Sequence, residues 1–190
     1  MSAPPWTRVA LRGDIGDALD RIAEREGWGF ETFVEETKDQ PFELVWTTED
    51  GRASIHYVED PVLGIDYVLA RGKRHDDVVN LLRSEVDTVP PSEVVAGSKE
   101  AHTKEEMIGA TYLAAATASS KFDPALFDVI ERALSSSAPQ VRLSGIVSCG
   151  YVEWKQCRSP LERLAKSDPD DDVRRAARAA LQGLGEVWKR

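Results

Sequence analysis

Side chains that could perform chemistry are scattered along this sequence of 190 residues. The histidines, His56, His75 and His102, fall in a predicted strand, before two aspartates and before a helix start. His75 and its aspartates do not predict a metal site, because side chains adjacent in sequence point apart on a helix. The sequence contains no phosphate-binding glycine loop, nucleophile elbow or dinucleotide fingerprint. It therefore indicates no catalytic residue, metal ligand or cofactor, and we expect a protein that is not an enzyme.

The two cysteines, Cys149 and Cys157, both lie within a helical pattern. Their spacing is typical of neither a zinc pair nor a redox dithiol. We interpret both as small apolar residues of a core. The sequence leaves a disulfide between them open, although the lack of any other cysteine and an expected reducing compartment argue against it.

Composition restricts the class of protein. The chain is 42% hydrophobic and 30% charged, which provides enough apolar side chains for folded cores. No apolar run approaches the roughly 20 residues of a membrane-spanning helix. The N-terminus lacks the basic and apolar regions of a secretory signal. We therefore expect a soluble, cytoplasmic protein that does not act at a membrane.

The net charge of −9 is confined to the first half of the chain. Residues 1–95 carry 10 basic and 20 acidic side chains, whereas residues 96–190 carry 14 basic and 13 acidic ones. An acidic surface repels phosphate backbones and attracts cations. The charge therefore favours another protein, in one hypothesis a cationic one, over nucleic acid as the partner. Solubility alone is the alternative explanation, and the oligomeric state is not indicated.

The first half predicts an acidic α+β domain over residues 1–91. The apolar spacing predicts helices at 14–26 and 75–86, and segment 28–38 reads as either a short helix or a packed loop. Period-two patterns predict strands at 6–11, 42–48, 53–58 and 65–70. Asp50 and Gly51 supply the positive-φ pair of a tight hairpin between two of these strands. The prediction is an antiparallel meander of three to four strands with flanking helices, ended by the prolines at 90 and 91.

This order of helix, meander and helix resembles the fold of type III secretion chaperones over roughly the first 88 residues. The resemblance is one of element order, and it implies a binding role.

Residues 92–190 predict helices alone. Thr103 to Glu106 form a capping-box start, and Asp123 precedes a proline at the first position of the next helix. Ser159 to Glu162 predict another start of the same kind. Residues 140–149 also align with residues 172–181 at an offset of 32, which matches Val141 with Val173. Periods of this length are typical of helical solenoids, in which each helix pair needs a neighbour to bury its apolar face.

The second half resembles HEAT repeats of the short bacterial kind. Residues 167–183 carry the signature, residues 138–150 carry a degenerate copy, and the resemblance covers roughly residues 103–188. It implies a HEAT-like α-solenoid of two to three helix pairs in which the aspartates cap the second helix and Arg142 and Arg174 form a ladder between repeats. The core positions that it implies are Val173, Ala176, Ala177, Ala180 and Leu181.

Six side chains of this half are candidates for a protein-binding surface. Four arginines form a basic stripe on second helices, and two aromatics follow the first copy: Arg142, Arg174, Arg175, Arg178, Tyr151 and Trp154. The alternative is that Arg142 and Arg174 are ladder residues, that the other arginines are solvated, and that the aromatics pack between repeats.

Three hypotheses for the function follow. The first is a protein-protein interaction module, such as an adaptor or scaffold, because a repeat architecture occurs without any chemical constellation. The second is an immunity-type inhibitor or chaperone of a cationic protein such as a toxin, as the acidic half indicates. The third is an enzyme of HEAT-like fold, such as a DNA glycosylase or a bilin lyase, although a glycosylase needs a wider basic cleft than four arginines provide.

Overall fold

The computed structural model describes residues 4–13, 15–37 and 40–189. The chain divides into two compact units, which meet in sequence between Pro90 and Pro91. The first unit contains an antiparallel sheet and two helices, and the second contains stacked helices. The mixed α+β class expected from the sequence is therefore confirmed. None of the helices in the described residues is long and apolar enough to cross a membrane.

The sheet of the first unit has six antiparallel strands in the order β2-β3-β4-β5-β1-β6. Its elements are β1 (Trp6–Leu11), α1 (Gly16–Glu26), β2 (Gly29–Val34), β3 (Phe42–Thr47), β4 (Ala53–Asp60), β5 (Ile65–Gly72), α2 (His75–Glu85) and β6 (Thr88–Val89). The prediction of three to four strands was wrong in two places. Segment 28–38 contains strand β2 instead of a helix or packed loop, and the stretch before Pro90 adds the short strand β6 beside β1.

The core of this unit lies between one face of the sheet and the helices α1 and α2. Alternate residues of the central strands, such as Ile55 and Val68, are fully buried because antiparallel sheets place every second side chain on the same face. Leu19 of α1 and Leu82 of α2 meet them from the helical side. The predicted helices at 14–26 and 75–86 are confirmed to within two residues at each end, with Asp14 outside the described residues.

The turn between β3 and β4 differs from the predicted tight hairpin. Only Gly51 has a positive φ, of 65°, and Asp50 does not share it. The Asp50 carboxylate instead accepts hydrogen bonds from the Thr48 hydroxyl at 2.8 Å and from the Arg52 amide at 3.0 Å. A side chain therefore closes this longer turn, as aspartate often does.

The second unit consists of α3 (Pro91–Gly97), α4 (Lys104–Ala116), α5 (Pro124–Leu134), α6 (Pro139–Val152), a 3-10 turn (Lys155–Cys157), α7 (Arg158–Ser167) and α8 (Asp171–Val187). The predicted capping box at Thr103 and the cap at Asp123 are confirmed. Asp170 caps α8 by accepting hydrogen bonds from the amides of Asp172 and Val173. The capping box predicted at Ser159 was wrong, because α7 already begins at Arg158, directly after the 3-10 turn.

Helix α6 is the centre of the second unit. It packs against α4, α5 and α8, and α8 also packs against α7. The sequence explains this position, since α6 has small or apolar residues on every side, and such a helix must be buried all round. Three of its polar side chains, Arg142, Ser144 and Ser148, are buried as well, and the Ser148 hydroxyl donates to the Thr111 carbonyl of α4 at 3.1 Å.

The contact between α5 and α6 depends on Gly145. A Cβ atom at this position would lie 2.9 Å from two side-chain atoms of Leu134 and 3.0 Å from its backbone nitrogen. These distances are shorter than ordinary van der Waals contact, so that any larger residue must push the helices apart. Gly150, one turn further along α6, has no neighbour within 4 Å of the same virtual atom.

We predict opposite effects for alanine at these two glycines. Gly145→Ala should lower the free energy of unfolding, because overpacking costs about 1–3 kcal/mol. Gly150→Ala should raise it by up to about 1 kcal/mol, because alanine favours the helix and meets no clash. Urea denaturation followed by circular dichroism measures both. Equal stabilisation by the two substitutions would contradict the close approach of α5 and α6.

Candidate functional site

Arg142 lies in the interior of the helical unit. Its side chain is 8% exposed, and its Nε and Nη2 atoms each donate to one carboxylate oxygen of Asp168 at 2.7 Å. The Nη1 atom donates to the backbone carbonyls of Ser136 and Ser137 at 2.9 and 3.1 Å. This guanidinium therefore joins the start of α6 to the turn before α8. Its Nε, Nη1 and Nη2 atoms all donate to groups of this chain.

The carboxyl group of Asp168 is held in its charged form. Burial by itself raises its pKa, but hydrogen bonds from Arg142 and from the Asp170 amide lower it, as do the charges of Arg142 and Arg174. The net result is a pKa below the ordinary value of 3.8. At neutral pH the pair is thus a buried ion pair with its hydrogen bonds satisfied.

The other three arginines of the predicted stripe lie on α8. Arg174 donates to the Asp168 carbonyl and pairs with Asp171, and Arg175 pairs with Asp172 in the first turn. Arg178 donates to the Ala165 carbonyl at 3.2 Å. Only the side chains of Arg175 and Arg178 are exposed, so the four arginines do not form one continuous basic surface.

The two aromatic candidates, Trp154 and Tyr151, differ in how far they are buried. Trp154 is 4% exposed, its Nε1 donates to the Ser119 carbonyl at 2.9 Å, and its ring meets Phe122 edge to face at 5.3 Å. Tyr151 is half-buried within α6. Arg142 and Trp154 thus have packing roles in this structure. The prediction of a contact surface on the helical unit rests on the remaining four side chains.

The cysteines face each other in the interior of the helical unit. Cys149 and Cys157 are both fully buried and unbridged. A hydrogen bond between the two thiols, together with burial, holds the pKa of Cys149 well above its ordinary value. Such a thiol is a poor nucleophile. In the parts of the chain that the structure describes, no three His, Cys, Asp or Glu side chains are grouped to hold a metal ion.

A cleft of about 270 Å³ opens in the sheet unit beside the turn between β3 and β4. Its charged wall consists of Glu26, Glu49, Asp50, Asp77 and Arg74. The guanidinium of Arg74 binds Asp77 at 2.7 Å and Asp50 at 3.1 Å, so part of the acidic charge is neutralised. Hydrogen bonds from the Thr48 hydroxyl, the Arg52 amide and Arg74 lower the pKa of Asp50 to about 2. The carboxylates of the cleft give it an acidic rim but no constellation for proton transfer.

The most unusual surface lies on strand β2. Phe30 and Phe33 are 57% and 54% exposed, and Val62 is the other exposed large hydrophobic residue in the described ranges. Phe30 lies opposite Trp46 of β3, and Phe33 lies opposite Leu44. Directly opposed residues share a face of the sheet. Both phenylalanines therefore extend the core face of the sheet beyond the part that the helices bury.

A β-bulge makes this arrangement possible. The register of β2 against β3 shifts between Phe30 and Thr32, which leaves Glu31 without an opposite residue. Without the extra residue, side chains three positions apart would point to opposite faces. Glu31, Glu35 and Glu36 are close to the two phenylalanines in the sequence and are exposed. We name this region, Phe30, Phe33 and the three glutamates, the β2 surface.

Sequence reasoning missed the β2 surface. The segment Gly-Phe-Glu-Thr-Phe-Val contains the aromatic and β-branched residues typical of strands, and this composition was the available signal. The spacing of Phe30, Phe33 and Val34 instead matched a helix, because the bulge interrupts the alternation. Comparisons with protein-family models, with curated proteins and with solved structures found no match to this chain.

We predict that removing the buried ion pair destabilises the protein much more than removing an exposed one. Asp168→Asn should cost about 3–5 kcal/mol at neutral pH, because it leaves the guanidinium of Arg142 buried beside a neutral group. Arg175→Met, which breaks the exposed pair with Asp172, should cost less than about 1 kcal/mol. Urea denaturation measures both.

The ion pair of Arg142 and Asp168 should make the free energy of unfolding fall at acidic pH. The folded-state pKa of Asp168 is lowered, so its stabilisation is complete above the unfolded value of 3.8 and is lost as the pH falls through the folded value. Asp168→Asn should therefore flatten the acid limb of the stability profile. An unchanged limb would show that the Asp168 carboxylate does not titrate as described.

A second titration tests the turn between β3 and β4. The Asp50 carboxyl should titrate with a pKa of about 2 in a side-chain NMR experiment. Thr48→Val removes the hydroxyl that donates to it and should raise this pKa towards 3.8. Ser84→Ala, which removes a hydroxyl from α2, should leave it unchanged. If Thr48→Val has no effect either, the hydroxyl does not hold the carboxylate.

Proposed function

We propose that this chain is a non-enzymatic protein-binding module. The single observation that carries the proposal is the exposure of Phe30 and Phe33, which are 57% and 54% accessible on the face that elsewhere forms the core. Isolated apolar residues are common on protein surfaces, but two aromatic rings beside one another on an edge strand favour a partner. Aromatic side chains are also among the residues that contribute most to binding energy in protein interfaces.

In this proposal the helical unit is a HEAT-like repeat scaffold. The support is that α4, α6 and α8 pack side by side, while α5 and α7 each pack against the helix that follows. Val141 and Val173, which are matched by the offset of 32 residues, are both fully buried. Gly145 and its match Ala177 are buried as well. These two pairs of matched positions have equivalent burial, as expected for stacked repeats. Other matched positions differ, since Cys149 is buried and Leu181 is half-buried.

The arginine ladder has a definite role within this scaffold. Arg142 of one pair binds Asp168 in the turn of the next pair, and Arg174 donates to the carbonyl of the same aspartate. The first contact crosses from the pair α5–α6 to the pair α7–α8, whereas the second lies within the pair α7–α8. In this proposal the ion pair fixes the spacing of the two pairs, and the exposed Arg175 and Arg178 are the arginines of the predicted stripe that a partner could reach.

A narrower candidate is an inhibitor or chaperone of a cationic protein. The observation that favours it is the excess of acidic side chains, 20 against 10 basic ones, in residues 1–95. Such a charge speeds the encounter with a basic partner and makes binding sensitive to salt. A partner whose binding does not weaken with ionic strength would exclude this narrower version and leave the general one intact.

Affinity capture from an extract of the native cells tests the proposed function. The full chain is compared with Phe30→Thr/Phe33→Thr, in which threonine keeps the strand preference but removes the rings. Val62→Thr is the matched control, since Val62 is 56% exposed on the same unit but lies in the turn after β4. We expect a protein that the wild type and the control retain and that the double variant loses at least about tenfold.

The result that contradicts the proposal is equally specific. If all three chains retain the same proteins in the same amounts, the exposed rings on β2 are not a binding surface. Circular dichroism and urea denaturation of the double variant must first match the wild type. Because both side chains are already more than half exposed, their removal should change the free energy of unfolding by less than about 1 kcal/mol.

A further inference from the structure

Strand β2 is the terminal strand of the sheet that the described residues form. It pairs with β3 on one side, and no other described strand pairs with its outer side. The backbone N–H and C=O groups of its outer side are therefore the kind that a further strand can pair with. Proteins commonly protect such edges with bulges and charges, and β2 has both. The same strand also carries Phe30 and Phe33, which are both more than half exposed.

The apolar part of the β2 surface continues an existing core. The ring of Phe30 meets Trp46 edge to face at 5.9 Å, and Trp46 itself is 3% exposed. Phe33 lies opposite Leu44, which packs against the same core. A strand added beside β2 would place every second side chain on this face, where it would cover the two rings.

The charges decide which occupant fits. Glu31, Glu35 and Glu36 are exposed, and none of the three is in an ion pair in the described part of the chain. A second copy of this chain would bring the same carboxylates against each other, which is unfavourable across neighbouring strands. Lysine or arginine side chains at these places would form opposite-charge pairs instead.

We propose that the outer edge of β2 binds an extended segment of another protein in which basic and apolar side chains alternate. The segment pairs with β2 through its backbone, its apolar side chains cover Phe30 and Phe33, and its long basic side chains lie within reach of the carboxylates of Glu31, Glu35 and Glu36. This inference rests on the proposed function, and it names the class of partner and the binding mode for the same surface.

Short synthetic peptides test the binding mode directly. The first probe is a peptide of about eight residues that alternates lysine and valine, with blocked ends, because this length spans β2. A second probe has glutamate in place of lysine. Amide chemical shifts of the full chain are followed by NMR. We expect the lysine peptide to shift amides of residues 29–34 and to bind at least about tenfold more tightly than the glutamate peptide at low salt.

Two N-methylated peptides separate strand pairing from simple charge attraction. Each is the lysine peptide with N-methyl groups on every second residue, which removes the N–H donors from one of its two edges and leaves the side chains unchanged. Together the two peptides cover both edges, so that one of them lacks the N–H donors that would pair with β2. We expect at least one of the two to lose binding about tenfold or more, because the ladder to β2 cannot form.

Charge variants of the protein test whether the carboxylates of the β2 surface contribute to binding of the lysine peptide. Glu31→Gln/Glu35→Gln/Glu36→Gln should weaken the lysine peptide by about five- to tenfold. The matched control removes three exposed carboxylates from the helical unit, with the same change in net charge: Glu100→Gln/Glu105→Gln/Glu162→Gln. This control should leave the affinity within about twofold of the wild type.

Four results of the peptide experiments would overturn the inference. The lysine peptide does not bind at millimolar concentration, the glutamate peptide binds equally well, the shifted amides lie away from β2, or both N-methylated peptides bind as well as the lysine peptide. A dimer of the chain that disappears in Phe30→Thr/Phe33→Thr would assign the surface to a second copy and overturn it as well. In each case, capture of a native partner that still depends on the two phenylalanines would leave the proposed function standing.

Discussion

The buried pair of Arg142 and Asp168 is the interaction on which the helical unit depends. Helix α6 packs against three helices largely through small and apolar side chains, and the close approach at Gly145 limits its distance from α5. The guanidinium adds a directional contact, because its donors reach the residues before α6 and the turn before α8 at the same time. Since burying two charges is expensive, the pair specifies the arrangement of the helices more than it adds to their stability.

The helices and their starts were the most predictable features of this fold. Prolines at first helical positions and the caps at Thr103, Asp123 and Asp170 act within a few residues, so the sequence shows them directly. The contact of Arg142 with Asp168 is observed, whereas its role as a ladder residue between HEAT repeats stays a prediction. What could not be predicted was the burial of Trp154, whose partners Ser119 and Phe122 are more than 30 residues away.

Strand β2 shows why the candidate surface was missed. A regular strand is recognised in a sequence by alternating apolar and polar residues. In β2 a bulge at Glu31 instead places two phenylalanines three positions apart on one face. An amphipathic helix also places apolar side chains three positions apart on one face. The spacing alone therefore does not distinguish a bulged strand from a helix. Pairing with β3 decides the outcome, and that partner lies across an intervening loop. The acidic side chains were visible in the composition, but their position beside an open sheet edge was not.

The bulge in β2 also has an evolutionary consequence. Because side chains on a strand alternate with a period of two, deleting one codon at Glu31 would restore a regular ladder and turn either Phe30 or Phe33 to the opposite face of the sheet. The shared face of the two rings thus depends on a single extra residue. In related sequences, loss of that residue should go with loss of one of the rings, so the length of this short segment is a marker by which the surface can be followed through a lineage.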